Sequence, residues 1–285
     1  MDERKKIDEL VALYSVETGL KDVYVEGTRD KIMLDWFLMD QNILGISVYE
    51  VDAINVPNEV LDRHGLEHGS NRSRVLALSE ELASQLPPDR KILCVVDRDY
   101  EDYLSSGHRN SFLAFTDYSS ADLYLWRKRT IQKLISLVLG GFSLGTEQVM
   151  GDLVGVLEEL FFMRLTNKTL GWGMTWISFV KYVQFDGHII FAVDRFKKAY
   201  LQRNNRWDQR AQFDCKQKEL KARLQEDPRR RMRGHDLMEA LYHATKKLKS
   251  SRRFGDVETF QGAYTGCLET QDILNEPLFQ RISAL

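Results

Sequence analysis

The stretch VYVEGTRDK, Val23 to Lys31, decides how the rest of the chain is read. It begins with the alternation of a strand and ends in a carboxylate, Glu26, followed at once by Gly27. A solvated turn gives the same letters, so the meaning of Glu26-Gly27 depends on what the chain places nearby. The second signal is CVVDRDYED, in which Asp97 and Asp99 close the hydrophobic run KILCVVDRD. Such a run is expected for a strand at the centre of a parallel sheet, buried on both faces. In an extended chain residues i and i+2 point to the same side, so the two carboxylates are expected to converge on one cation or phosphate. Turn and helix-cap chemistry is the competing explanation of an Asp-x-Asp after a strand.

Working outward, the first 120 residues alternate strands and helices, the pattern of an α/β unit with a largely parallel sheet. DVYVEG is expected as the first strand, RDKIMLDWFLMDQN as a helix and ISVYEVDAI as the second strand. NVPNEVLDRHGLEHGSN is polar and turn-rich, and RSRVLALSEELASQL is an amphipathic helix stopped by Pro87 and Pro88. KILCVVDRD is the third strand and NSFLAFTDYSS the fourth, with Ser119 or Ser120 placed to cap a helix beginning ADLYLW. From about residue 125 onward only helical patterns are read, among them TIQKLISLVLGG, EQVMGDLVGVLEELFFMRLT, TWISFVKYVQ, FAVDRFKKAYLQRNN and HDLMEALYHATKKLKSS. The expected organisation is an α/β domain over residues 1–125 and an α-helical region over residues 126–285.

Open parallel sheets bind ligands at the carboxyl ends of their strands, which brings Glu26, Asp97 and Asp99 to one rim. Two unit charges at about 4 Å repel by about 4 kcal/mol at a surface-like dielectric, so a bound divalent cation resolves the crowding. Oxygen ligands alone favour Mg²⁺ or Mn²⁺ over zinc. Cys94, Cys215 and Cys267 are odd in number and widely spaced, against both a disulfide framework and a thiolate zinc site.

With 285 residues, 43% hydrophobic and 29% charged, the chain is expected to fold as a soluble cytoplasmic protein. It has no apolar run of about 20 residues to cross a bilayer, and MDERKKIDEL lacks the apolar core of a signal peptide. The net charge of −2 conceals an asymmetry: residues 195–253 carry 19 Lys and Arg against 7 Asp and Glu. A basic block of this size is either a solvated helical face or a surface for a polyphosphate backbone.

VYVEGTRDK, the intervening strand, VVDRD and the acid-bearing FTDYSSAD together resemble the toprim fold, with its Glu-Gly on the first strand and Asp-x-Asp on the third. The toprim-like part covers about residues 21–125. The length, the helical C-terminal part and the phrase RGHDLMEALYH further resemble the toprim-like family found beside ATPases in bacterial phage-defence loci, the effectors of PARIS-type systems. The resemblance implies a Mg²⁺-dependent nuclease acting on phosphodiester bonds, with tRNA as the RNA substrate, toxin-like and restrained by an ATPase partner of the ABC or SMC type. It implies Glu26 as general acid/base or metal-linked carboxylate, Asp97 and Asp99 as metal ligands, and a homodimer when active. The acid after the fourth strand, Asp117 or Asp122, departs from the family spacing, and its role stays open.

Other residues have simpler readings. Arg29 and Lys31 suit phosphate or solvent equally, Arg98 should point away from the two aspartates, and His235 reads as a cap-region residue. Trp172, Trp176, Phe179 and Tyr182 are expected in a core or an interface. Two other function classes stay open: a haloacid-dehalogenase-like phosphatase, disfavoured by Glu101 where a small residue is expected, and a non-catalytic module binding nucleic acid or protein.

Overall fold

A computed structural model describes residues 4–140, 143–185, 187–223, 225–246 and 254–285. The chain forms a mixed α/β structure with a parallel sheet and many helices, divided into two compact units. Unit 1 comprises Met1–Arg98, Ser105–Asp117 and Glu269–Leu285, and unit 2 comprises Asp99–Leu104 and Tyr118–Leu268. The chain therefore passes between units four times, whereas the sequence suggested a single boundary near residue 125.

Unit 1 runs β1 (Lys5–Lys6), α1 (Ile7–Val16), β2 (Lys21–Val25), α2 (Thr28–Asp40), β3 (Ile46–Glu50), β4 (Ile54–Asn55), α3 (Asn58–Arg63), α4 (Asn71–Gln85), β5 (Lys91–Val96) and β6 (Leu113–Phe115). The helix Pro277–Ser283 completes it. The main sheet has the order β3-β2-β5-β6 with every pairing parallel, and β1 pairs separately with β4. Strands β2 and β5 are interior, which is why they read as apolar runs: Ile92 to Val96 are all buried. Alternate residues Tyr24, Ile92, Cys94 and Val96 join a core built with Leu10 and Tyr14 of α1 and Val75, Leu78 and Leu82 of α4. Val23, Val25, Leu93 and Val95, on the alternate face, are buried as well. Phe37 of α2 meets Phe279 of the C-terminal helix edge to face at 4.8 Å, and Arg281 anchors that helix by donating to the carbonyls of Leu113 (2.8 Å) and Ser111 (2.6 Å).

A polar network crosses this core. Tyr14 donates to the buried Asp22 at 2.5 Å, and its hydroxyl stands 2.6 Å from that of Tyr24. Burial, with Tyr24 and Asp22 alongside, pushes the Tyr14 hydroxyl far above its ordinary pKa.

Unit 2 contains α5 (Lys128–Lys133), which continues as a π-helical turn Leu134–Val138, then α6 (Thr146–Leu170), β7 (Val183–Phe185), β8 (Ile189–Phe191), α7 (Val193–Arg203), α8 (Arg210–Lys221), α9 (Gly234–Lys246) and α10 (Val257–Thr265). Its longest helix, α6, buries Phe161, Phe162 and Leu165 against Tyr103 and Leu220. Two expectations fail here. TWISFVKYVQ is not a helix: α6 stops at Gly171 in the left-handed region (φ 65), and Gly173 (φ 59) turns the chain again. Asn167 then holds the following segment by accepting from the Met174 amide (3.1 Å) and donating to its carbonyl (3.2 Å). Nor is the region free of strands, because β7 and β8 form a short antiparallel hairpin.

Gly234, in the RGHD phrase, opens α9 by close approach. A Cβ there would stand 2.3 Å from the Cβ of Asp122 and 2.6 Å from the Ser120 hydroxyl oxygen. Only glycine fits, and its amide donates to that same Ser120 oxygen at 3.2 Å. The segment expected as a helix after Ser119 or Ser120 is a 3₁₀ turn, Ala121–Leu125, without a side-chain cap.

Candidate active site

Strands β2 and β5 run in parallel register, Lys21 beside Lys91 and Tyr24 beside Cys94. Glu26 and Asp97 are the first residues past their respective ends, so the topology brings these two acids together at the carboxyl edge. The contact is direct: the Asp97 amide donates to Glu26 Oε1 at 2.8 Å. Glu26 thus also serves the backbone, satisfying an amide that has run off the end of the sheet ladder.

Asp99 behaves differently. The boundary between units falls between Arg98 and Asp99, and Asp99 takes a left-handed backbone conformation (φ 47) while its amide donates to the Ser119 carbonyl at 2.7 Å. The rule that i and i+2 share a side requires extended backbone, which ends at Val96. The expectation that strand geometry alone would aim Asp97 and Asp99 together therefore lacks its basis. Arg98 turns to the neighbouring strand end, its amide donating to the Thr116 hydroxyl (3.0 Å) and its Nε to the Thr116 carbonyl (2.9 Å).

Sequence reasoning missed several residues at this edge. Glu50 ends β3 and accepts from the Thr28 hydroxyl at 2.9 Å. Asn71 donates to the Glu26 carbonyl at 2.8 Å, and Arg72 donates to the Asp97 carbonyl. Arg74 pairs with Asp52 and donates to the Ile54 carbonyl at 2.8 Å. A helix leading into a parallel strand starts at the carboxyl edge, so the first turn of α4 delivers Asn71, Arg72 and Arg74 to the strand ends. The available signal was Ser70, whose side chain caps α4 by accepting from the Ser73 amide. These arginines offset part of the acidic repulsion that the sequence assigned wholly to a metal ion.

Glu26 and Asp97 supply hard oxygen donors, the chemistry that suits Mg²⁺ or Mn²⁺. Among the described residues, no group of three or more His, Cys, Asp or Glu is placed to hold a metal ion. Mg²⁺ is commonly bound through one or two carboxylates completed by water and substrate oxygens, an arrangement that two strand-end acids fit.

The remaining expected residues have local partners. Lys31 donates to Asp35 (2.7 Å) and to the Val48 carbonyl (2.8 Å). Gly27 caps α2 in an extended conformation (φ −161) with open space where a Cβ would lie, so the backbone itself does not require glycine there. Asp117 accepts from the Leu278 amide at 3.2 Å, Asp122 accepts from Gln261 at 2.8 Å, and His235 is exposed on α9. In the basic segment 195–253, of which residues 224 and 247–253 lie outside the described part, many cations face the protein's own acids. Arg229 pairs with Asp227 (2.7 Å), Arg231 with Glu158 (2.6 Å), Arg230 with Asp102 (3.8 Å) and Lys197 with Asp214 (2.8 Å). Burial raises the Asp227 carboxyl, but its hydrogen bonds from Arg229 outweigh this and hold it below the usual range.

No protein-family model and no curated protein matches the chain in sequence. No helix among the described residues is long and apolar enough to cross a membrane.

Proposed function

We propose that the chain is a toprim-type, metal-dependent nuclease that cleaves phosphodiester bonds, with RNA, and tRNA in particular, as its substrate. The observation that carries this reading is the pairing of Glu26 with Asp97 on adjoining interior strands at the carboxyl edge of a parallel sheet. Glu26 and Asp97 would hold Mg²⁺ or Mn²⁺, which polarises phosphoryl oxygens and lowers the pKa of water when bound. Glu26 would hold or move a proton at the reacting oxygen, its position fixed by the Asp97 amide. Asn71 and Arg72 would keep the two strand ends in place through the Glu26 and Asp97 carbonyls. On the family resemblance, the nuclease serves an anti-phage defence system, is restrained by an ABC- or SMC-type ATPase and acts as a homodimer.

The test is cleavage by purified protein of tRNA, other RNA, DNA and an aryl phosphate, with Mg²⁺ or Mn²⁺ and with chelator. Metal-dependent cleavage of tRNA that disappears in Glu26→Gln is expected. Aryl-phosphate hydrolysis without nucleic-acid cleavage would favour a phosphatase instead, and binding without turnover a non-catalytic module.

A further inference from the structure

Unit 2 contains a cavity of about 280 Å³ lined by Tyr100, Arg164, Lys168, Trp176, Tyr200 and Arg233, with Asp99 also on its wall. Three of its donors lack an acceptor among the described residues. Arg164 donates through Nε (3.2 Å) and Nη2 (2.8 Å) to the buried Asp236, which leaves Nη1 with no acceptor among the described residues. Its guanidinium lies over the Trp176 ring at 3.6 Å, so its plane is held from two sides. Lys168 has no carboxylate partner among the described residues, and its ammonium stands 5.6 Å from the centre of the Tyr100 ring. Tyr200 is fully buried, and its hydroxyl makes no hydrogen bond among the described residues.

An unsatisfied buried hydroxyl is costly, and unclaimed donors gathered in one cavity are best satisfied by one ligand rich in acceptor oxygens. Arg164, Lys168 and Arg233 outnumber the carboxylates of Asp99 and Asp236 around them, a net positive charge that favours an anion, and Arg with Lys is the usual pairing for phosphate. Aromatic rings around those cations add the apolar, flat-faced surroundings that a nucleotide uses and a bare inorganic anion does not. Trp176 is itself fixed by edge contacts with Phe196 (5.3 Å) and Tyr200 (4.9 Å), so the wall is formed before any ligand arrives.

We infer that this cavity binds the phosphate group of a nucleotide, with Arg164 Nη1, Lys168 Nζ and the Tyr200 hydroxyl as donors. It is a binding site of unit 2 in its own right and does not depend on metal at Glu26 and Asp97.

The experiment is calorimetric titration of the full chain, in chelator, with inorganic phosphate, adenosine 5′-monophosphate and a short oligoribonucleotide. Lys168→Ala, Tyr200→Phe and, as a control outside the cavity, Lys197→Ala are compared with the wild type. Lys168 is exposed, so its truncation should leave the fold intact, and Tyr200→Phe removes a hydroxyl without a partner and should not lower the melting temperature. The expected result is nucleotide binding that weakens about tenfold in Lys168→Ala and about threefold or more in Tyr200→Phe, with Lys197→Ala unchanged. Mononucleotide binding identifies a free nucleotide as the source, and binding of the oligoribonucleotide alone, with the same sensitivity, identifies a strand phosphate. Failure of wild type to bind either nucleotide, binding of inorganic phosphate only, or equal affinity in Lys168→Ala and Tyr200→Phe overturns the inference. None of these results bears on metal-dependent cleavage.

Discussion

Glu26 and Asp97, 71 residues apart, are joined by a 2.8 Å hydrogen bond from the amide of one to the carboxylate of the other. One side chain therefore carries two roles, an anion at the sheet edge and an acceptor for a strand-end amide. The two substitutions Glu26→Gln and Glu26→Ala separate them. Glutamine keeps an acceptor oxygen, so Glu26→Gln is expected to melt close to wild type while cleavage falls by about 10²–10⁴-fold. Alanine loses the acceptor too and should cost about 1–2 kcal/mol in addition. Wild-type cleavage by folded Glu26→Gln would refute a chemical role for this carboxylate.

Tyr14→Phe tests the buried network of Tyr14, Asp22 and Tyr24. The change removes the donor 2.5 Å from Asp22 and leaves a buried carboxylate with less solvation. A loss of about 1–3 kcal/mol in denaturant unfolding is expected, and a loss under about 0.5 kcal/mol would show that Asp22 draws its support elsewhere.

Gly234→Ala and Gly155→Ala make an opposed pair. At Gly234 the new methyl meets Asp122 at 2.3 Å, so a loss of about 1–3 kcal/mol is expected. At Gly155, inside α6, a Cβ meets nothing within 4 Å, so better helix propensity should stabilise by about 0.5–1 kcal/mol. Equal effects at both positions would contradict the close approach of α9 to Asp122.

Alkaline pH should unfold the protein cooperatively. Burial raises the hydroxyl pKa of Tyr24, Tyr100 and Tyr264, and that of Tyr200 to about 12. The unfolded chain releases these protons near pH 10, so above that pH the native state binds more protons than the unfolded state. Their contribution to stability is complete below about pH 10 and is lost as pH rises through the folded-state values. Tyrosinate absorbance and far-ultraviolet circular dichroism should change together in one step. Gradual tyrosine ionisation with an unchanged dichroism spectrum would show that these hydroxyls are not buried.

The parallel sheet was legible because strands buried on both faces write themselves as apolar runs, as Ile92 to Val96 do, and because Glu26 and Asp97 directly follow such runs. The rest of the edge was not. Arg72 and Asn71 look like ordinary first-turn residues, and only the crossover from α4 into β5 delivers them to the strand ends. The left-handed Asp99 is equally silent in the letters DRD, since aspartate tolerates both conformations. In unit 2, WGMTWISFVKYVQ has apolar residues at helical spacing, and what overrides them is the clasp of Asn167 on Met174 together with two glycine turns. The pair Arg164 and Asp236 spans 72 residues and two helices, a separation at which no local pattern announces a partner.

The four passages of the chain between units set an order of assembly during synthesis. The last piece of unit 1, Glu269–Leu285, is translated only after every piece of unit 2. Until then β6 lacks the Arg281 clasp on Leu113, Phe37 lacks Phe279, and Asp117 lacks the Leu278 amide. Vectorial translation therefore finishes the helical unit first and withholds closure of the sheet-bearing unit until late, since distant contacts cannot form before both partners exist. Nascent chains arrested after Leu268 should show protected amides in α6 and open ones in β6, and equal protection in both would dismiss the idea.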